Sequence, residues 1–179
     1  MNASPSSAHT LTGSSNLMNN AEVARDVFRS IAGHWPSGVA VITSVSETDG
    51  PVGLTMSAVM SLSVEPLQFL ISVDNKSNTL PSIISSGRFC INFMAQGQEA
   101  IAMRFASKKG EKFEGLPSRQ LKSGSVLIEG VLAYADCEVG AVYDGGDHRI
   151  LVGRVTDMAL LGSVPLAYFA GKFRRVTDA

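Results

Sequence analysis

The chain has 179 residues, about the length of one ordinary domain and enough to bury a core without disulfide or metal staples. Hydrophobic residues make up 45% and charged residues 17%, with a formal net charge of −1. This balance gives no global attraction for nucleic acid, and the low charged share is compatible with apolar surface covered by a second subunit. No apolar run approaches the ~18 residues of a membrane span, so no membrane association is expected.

Residues 1–19 are mostly Ser, Asn, Thr and Ala and read as a flexible leader, with a domain over residues 20–179. Asn19 caps a predicted helix, with Glu22 in a capping-box-like position. Val23, Val27, Phe28 and Ile31 share its apolar face, and Gly33 and Pro36 end it. The pattern then turns to β, with strands over Gly38–Val45, Val52–Ala58 and Leu67–Val73, the first two separated by Asp49-Gly50-Pro51. A short helix opens near Thr79 with Pro81 in its first turn. A strand over Arg88–Met94 and a helix over Glu99–Ala106 follow. Ser107–Gly124 is a long polar loop, and loops of that length are often functional. Val126–Val142, His148–Leu161 and Pro165–Phe173 are strand-like. Strands outnumber helices and no strand–helix alternation is sustained, so the expected fold is an antiparallel barrel with short peripheral helices.

Hydrolase elbows, Walker loops, a Gly-x-Gly-x-x-Gly helix start and paired metal-binding histidines are all missing. His9 falls in the leader, and His34 ends a helix, where a partial positive charge suits the dipole. Cys90 and Cys137 lie in apolar runs without metal spacing. They read as buried thiols of a reducing compartment, which together with the absence of a signal-peptide pattern points to the cytoplasm. Two basic patches stand out. One runs from Arg104 through Lys108, Lys109, Lys112 and Arg119 to Lys122, against Glu111 and Glu114; the other is Lys172, Arg174 and Arg175. They suit a small anionic ligand, or simply a solvated loop. Small hydroxyl residues collect in Gly53-Leu54-Thr55-Met56-Ser57-Ala58, at Ser61 and Ser63, and in Asp74-Asn75-Lys76-Ser77-Asn78-Thr79 before a helix. Amides and hydroxyls there can cradle an anion, although Ser and Thr in strands and turns also serve structure alone. Gly145-Gly146-Asp147-His148 makes a tight turn that sets a histidine at a strand mouth. It reads either as a ligand contact or as a plain hairpin.

Together these segments resemble the flavin reductase component of two-component flavin-dependent monooxygenases. The likeness runs in the family's order. It begins with Phe28 and Trp35-Pro36-Ser37-Gly38-Val39-Ala40-Val41-Ile42-Thr43, then Gly53-Leu54-Thr55-Met56-Ser57-Ala58, Ser61-Leu62-Ser63 and Glu65-Pro66. It continues with Ser86-Gly87-Arg88-Phe89-Cys90-Ile91-Asn92, Arg104-Phe105-Ala106, Gly145-Gly146-Asp147-His148, and Pro165-Leu166 with Tyr168 and Gly171. The chain departs from the family in having Ser37 where Thr is common and Ala58-Val59-Met60 where a Phe-rich stretch is common.

The resemblance implies a mainly β fold: a six-stranded antiparallel split β-barrel of Greek-key topology, working as a homodimer with flavin at the subunit interface. It implies FMN, with FAD as the alternative, and NADH or NADPH as co-substrate. Gly53, Leu54, Thr55, Ser57 and Ala58 would line the ring system and ribityl chain, with Ser72 and Val73 beside them. Ser77, Asn78, Arg104 and Phe105 would hold the phosphate end, with Lys76 nearby. His148 would meet the nicotinamide nucleotide, and Tyr168, Phe169 and Gly171 would complete its pocket. No side chain is expected as a catalytic acid or base, because hydride transfer is carried by the cofactors. The expected partner is a separate monooxygenase that receives reduced flavin, one that hydroxylates an aromatic ring being closest in motif. The alternatives are an FMN-binding electron carrier without nicotinamide turnover, a pyridoxamine phosphate oxidase-like enzyme, and a ligand-sensing or structural barrel.

Overall fold

The computed structural model describes residues 21–108 and 110–177. The expected leader, with His9 and the cap Asn19, lies outside the described residues, as does Lys109. The chain divides into two units, residues 1–35 and 36–179. In the first, α1 (Ala21–Gly33) carries Val23, Val27, Phe28 and Ile31 at helical spacing, so its apolar side chains gather on one face. His34 Nδ1 lies 2.6 Å from Ser30 O, which also accepts the His34 amide at 3.2 Å.

The described residues of the second unit form twelve strands and two short helices. In chain order these are β1 (Ser37–Gly38), β2 (Ala40–Ser46), β3 (Gly50–Met56), β4 (Val59–Val64), β5 (Leu67–Asp74), α2 (Leu80–Ser86), β6 (Arg88–Phe93) and α3 (Glu99–Ala106). Then follow β7 (Ser118–Gln120), β8 (Val126–Ile128), β9 (Ala133–Gly145), β10 (His148–Leu160), β11 (Leu166–Phe169) and β12 (Lys172–Arg175). Seven of them form one antiparallel sheet in the order β3-β2-β6-β9-β10-β5-β4. The neighbours β2–β6, β6–β9 and β5–β10 are distant in sequence, as Greek-key connections require.

Connectivity forces this sheet to roll up. Its two edge strands, β3 and β4, are consecutive and joined only by Ser57 and Ala58. A flat sheet of seven strands would hold its edges roughly 29 Å apart, at ~4.8 Å per strand. The three Cα steps from Met56 to Val59 span at most about 11 Å. The edges must therefore approach each other at that end, which gives a split barrel.

The central strands are buried on both faces, which is why they read as unbroken apolar runs. One face points into the barrel, where Ala40, Ile42, Ile71, Val73, Phe89, Ile91, Ala135 and Leu151 pack with Leu80 and Ile83 of α2. The opposite face, with Val39, Val41, Cys90 and Tyr134, packs with Ala102 and Phe105 of α3, Leu127 and Ile128 of β8, and Leu166. Asn92, fully buried, fastens that outer layer. Its Nδ2 donates 3.2 Å to Val126 O and its Oδ1 accepts 2.8 Å from the Ile128 amide. At Gly153 the β9–β10 register shifts, and a Cβ there would stand 2.4 Å from Phe89 Cζ, so only glycine fits beneath that ring.

The six strands expected are fewer than the twelve found. Val39 divides the first expected strand into β1 and β2, and residues 129–132 divide another into β8 and β9. β4 emerges where only hydroxyl residues had stood out, because a bulge between Ser61 and Ser63 breaks its alternation. β7 takes three residues of the polar loop. Ala170 (φ 50°) and Gly171 (φ 76°) turn the last segment into the β11–β12 hairpin, the conformation of a two-residue type I′ turn.

Candidate functional site: two adjoining clefts

A polar cleft of about 150 Å3 opens between β3, the turn after β5, and the end of α3. It is lined by Leu54, Thr55, Asp74, Ser77, Asn78, Phe105, Lys108 and Lys112, among others. Gly53 is required by what lies behind it: a Cβ there would come within 2.9 Å of both Ile42 O and Phe105 Cε1. Its carbonyl instead accepts a 2.8 Å hydrogen bond from Lys112 Nζ. The Thr55 hydroxyl donates 2.6 Å to Ala102 O and so ties β3 to α3. Ser77 Oγ accepts from the Thr79 amide at 3.2 Å, ordering the turn that leads into α2.

Three further expected residues are placed as follows. Arg104 directs Nη2 to Glu111 O (2.6 Å) and Glu114 O (2.5 Å), so that end of the guanidinium organises the following loop. Val73 is 1% exposed inside the barrel and offers a ligand no side-chain surface. Lys76 is exposed in the turn, where its amide is held 2.8 Å from Asp74 Oδ1. Lys112, singled out only as one of a basic run, lines the cleft together with Lys108 and is the one tied to its wall by hydrogen bonds to Gly53 O and Phe105 O. Burial lowers its pKa from the ordinary lysine value.

A second, apolar cleft of about 210 Å3 shares Thr55 and Ala106 with the first. Met56, Ser57, Met103, Tyr168 and Phe173 also line it. The β11–β12 hairpin sets the Tyr168 and Phe173 rings edge to face, 5.7 Å between centroids. Phe169 is half-buried on the same strand, and Gly171 lies in the turn. Ala58 is exposed at the β3–β4 connection, and its carbonyl accepts from the Ser72 amide at 3.1 Å.

His148 opens β10 opposite Gly145 and Asp74. The tight turn before it has φ 76° at Gly146, the first of its two central residues. His148 Nδ1 lies 2.7 Å from Asp147 Oδ1, and this contact holds the Asp147 carboxyl below its ordinary pKa. His148 therefore belongs to the seven-stranded sheet near Asp74, whereas Tyr168, Phe169 and Gly171 belong to the separate β1-β11-β12 sheet and its turn. The described residues do not place these two sets in one cleft.

A larger cavity, about 560 Å3, lies elsewhere and is lined by Arg88, Arg119, Lys122, Asp136, Glu138 and Asp157 among others. Asp136 is 3% exposed, and burial, assisted by Asp157, raises its pKa. Alternating burial along a strand gave no cue to it, because every residue from Tyr134 to Cys137 is buried. Among the described residues no group of His, Cys, Asp and Glu could hold a metal ion, and no helix is long and apolar enough to cross a membrane.

Comparison with known proteins identifies the family. The chain is 38% identical over 157 residues to the reductase subunit HsaB of a flavin-dependent monooxygenase from Mycobacterium tuberculosis, covering 86% of this chain and 83% of that one. The structure of nitrilotriacetate monooxygenase component B from Mycobacterium thermoresistibile superposes with a TM-score of 0.84 at 32% identity, over 88% of this chain and 89% of that one. The Streptomyces globisporus C-1027 NADH:FAD oxidoreductase, solved with NAD and FAD fragments, superposes with a TM-score of 0.81 at 28% identity, over 86% and 93%. The model of the flavin reductase like domain matches residues 32–177, the whole span that carries the rolled sheet and both clefts, and the chain belongs to that family.

Proposed function

We propose that the chain takes hydride from NADH or NADPH, reduces FMN (or FAD), and hands the reduced flavin to a separate monooxygenase. The observation that carries this is the sharing of Thr55 and Ala106 by an apolar cleft and one that carries Lys108 and Lys112 beside Asp74. A flavin has the same two halves, a flat apolar ring system and a polar tail ending in phosphate. The residues present fit it: Met56, Ser57, Tyr168 and Phe173 offer a wall for the ring, and Ser77, Asn78, Lys108 and Lys112 offer donors for the tail. When bound, the flavin supplies the redox chemistry. The chain's own residues bind, orient and exclude water. His148 is assigned to the nicotinamide nucleotide as a binding residue, together with Tyr168, Phe169 and Gly171, as the family resemblance suggests. Because Tyr168 lines the apolar cleft and His148 lines neither cleft, a site using both is most simply completed across two copies, which favours the homodimer. The buried thiols of Cys90 and Cys137 suit a reducing cytoplasm.

The test is steady-state oxidation of NADH and of NADPH with FMN, FAD and riboflavin in turn. Flavin-dependent turnover is expected, and its absence with every pair sinks the proposal. In the same assay His148→Ala should raise the KM for the nicotinamide nucleotide about 5- to 30-fold, the loss of one hydrogen bond. Flavin affinity should change far less.

A further inference from the structure

One side chain ties residues 111–114 back to α3. Arg104 Nη2 donates to the carbonyls of Glu111 and Glu114, seven and ten residues ahead of it. Both acceptors are backbone atoms, so the contact fixes the path of the chain whatever side chains stand there. Between the two anchored carbonyls lie Lys112 and Phe113. Phe113 packs edge-on against Phe105 of α3, with centroids 5.0 Å apart. Lys112 Nζ reaches Gly53 O at 2.8 Å and Phe105 O at 3.2 Å, and stands 5.9 Å from the centroid of the Phe105 ring. An ammonium has three N–H donors, and these carbonyls occupy two. Lys112 also lines the polar cleft with Asp74, Ser77, Asn78 and Lys108.

We propose that Lys112 is the residue that selects flavins carrying a phosphate ester, and that Arg104 is a positioning residue that acts through the loop to hold Lys112 at the cleft. This rests on the flavin reductase reading and adds the source of its preference for a phosphorylated tail. Without the Arg104 anchor the loop loses the two contacts that set Lys112 between them. The ammonium is already partly desolvated, which lowers its pKa, so a phosphate arriving beside it meets a charge that water screens poorly.

The experiment titrates FMN and riboflavin into the full chain by fluorescence quenching, without nicotinamide nucleotide, for wild type, Lys112→Met, Arg104→Ala, Arg104→Lys and the Arg104→Ala/Lys112→Met pair. Lys112→Met should weaken FMN binding about 10- to 100-fold, the scale of one charge-assisted contact, and leave riboflavin within about twofold. Arg104→Ala should show the same selective loss, and Arg104→Lys should recover part of it. The double variant should match Lys112→Met alone, because both act through one amine. Multiplying losses would instead put Arg104 on the phosphate itself and overturn its positioning role. Equal losses for both flavins would overturn the selection. Should Arg104→Ala fail to fold by circular dichroism, Lys112→Met decides: an unchanged ratio of FMN to riboflavin affinity overturns the proposal. A wild type that binds FMN while Lys112→Met keeps full preference sinks only this inference, whereas a wild type that quenches no flavin sinks the reductase reading.

Discussion

Asp136 shows how a single buried group sets a pH dependence. Its Oδ1 is buried without a hydrogen-bond partner among the described residues. Burial raises its pKa, Asp157 adds to the rise, and the nearby Ser123 and Ser125 hydroxyls and Arg88 only partly oppose it. A carboxyl whose folded pKa lies above its unfolded one favours folding while protonated. That contribution is complete below the unfolded value of about 3.9 and is lost as pH rises through the folded value. At neutral pH the ionised side chain therefore costs stability. Asp136→Asn should raise Tm by about 2–6 °C at pH 7.5, corresponding to ~1–2 kcal/mol, with the gain fading toward pH 4. Thermal melts across that range check it; a loss of Tm at pH 7.5 would show that the carboxylate has a partner there. The same scale explains what the sequence hid. A basic run containing Arg104 and Lys112 was visible, but which cation faces the cleft depends on backbone carbonyls at residues 53, 105, 111 and 114, and these leave no mark on residue type.

Among the elements, the clearest sequence signals were the local ones. α3 spans Glu99–Ala106 as expected, and α2 follows Thr79 with Pro81 in its first turn. These signals are caps, breakers and periodicity, all contained within a few residues. Boundaries set by partners across the sheet were less visible: the bulged β4, the short β7–β8 pair, and the split of the last segment into a hairpin. That hairpin is worth attention because it carries both rings of the apolar cleft. Ala170, the first of its two turn residues, has φ 50°, which costs a residue with a Cβ roughly 1 kcal/mol. Asn tolerates that conformation and Asn-Gly is the preferred pair for such a turn. Ala170→Asn should therefore stabilise the chain by about 0.5–1 kcal/mol, read as a rise in the denaturation midpoint with an unchanged m-value. A fall in the midpoint would mean that the turn is held in another conformation in solution.

For the whole molecule, the rolled sheet leaves a residual edge. β4 is an edge strand, and it exposes Met60, Leu62 and Val64, the last at 85%, with Leu67 paired beside Val64. An uncovered apolar edge strand is a hazard that proteins blunt with charges, prolines or a covering element. From Met60 to Val64 this strand has no charged residue at all. The cis Glu65-Pro66 turn ends it, so only the turn brings a charge. The proposed homodimer would cover this stripe if β4 lies at its interface, and it could bring together His148 and Tyr168, the residues proposed to meet the nicotinamide nucleotide. The expected outcome is a dimer at micromolar concentration by sedimentation. The pair Leu62→Lys and Val64→Lys should shift it toward monomer, because two buried ammonium groups without partners oppose association by several kcal/mol. Circular dichroism should remain native, since both side chains are exposed in the isolated chain. Flavin-dependent NADH oxidation should then fall with dilution far more steeply for the lysine pair than for wild type. A fully active monomer in either form would place the whole site in one copy and remove the need for a partner.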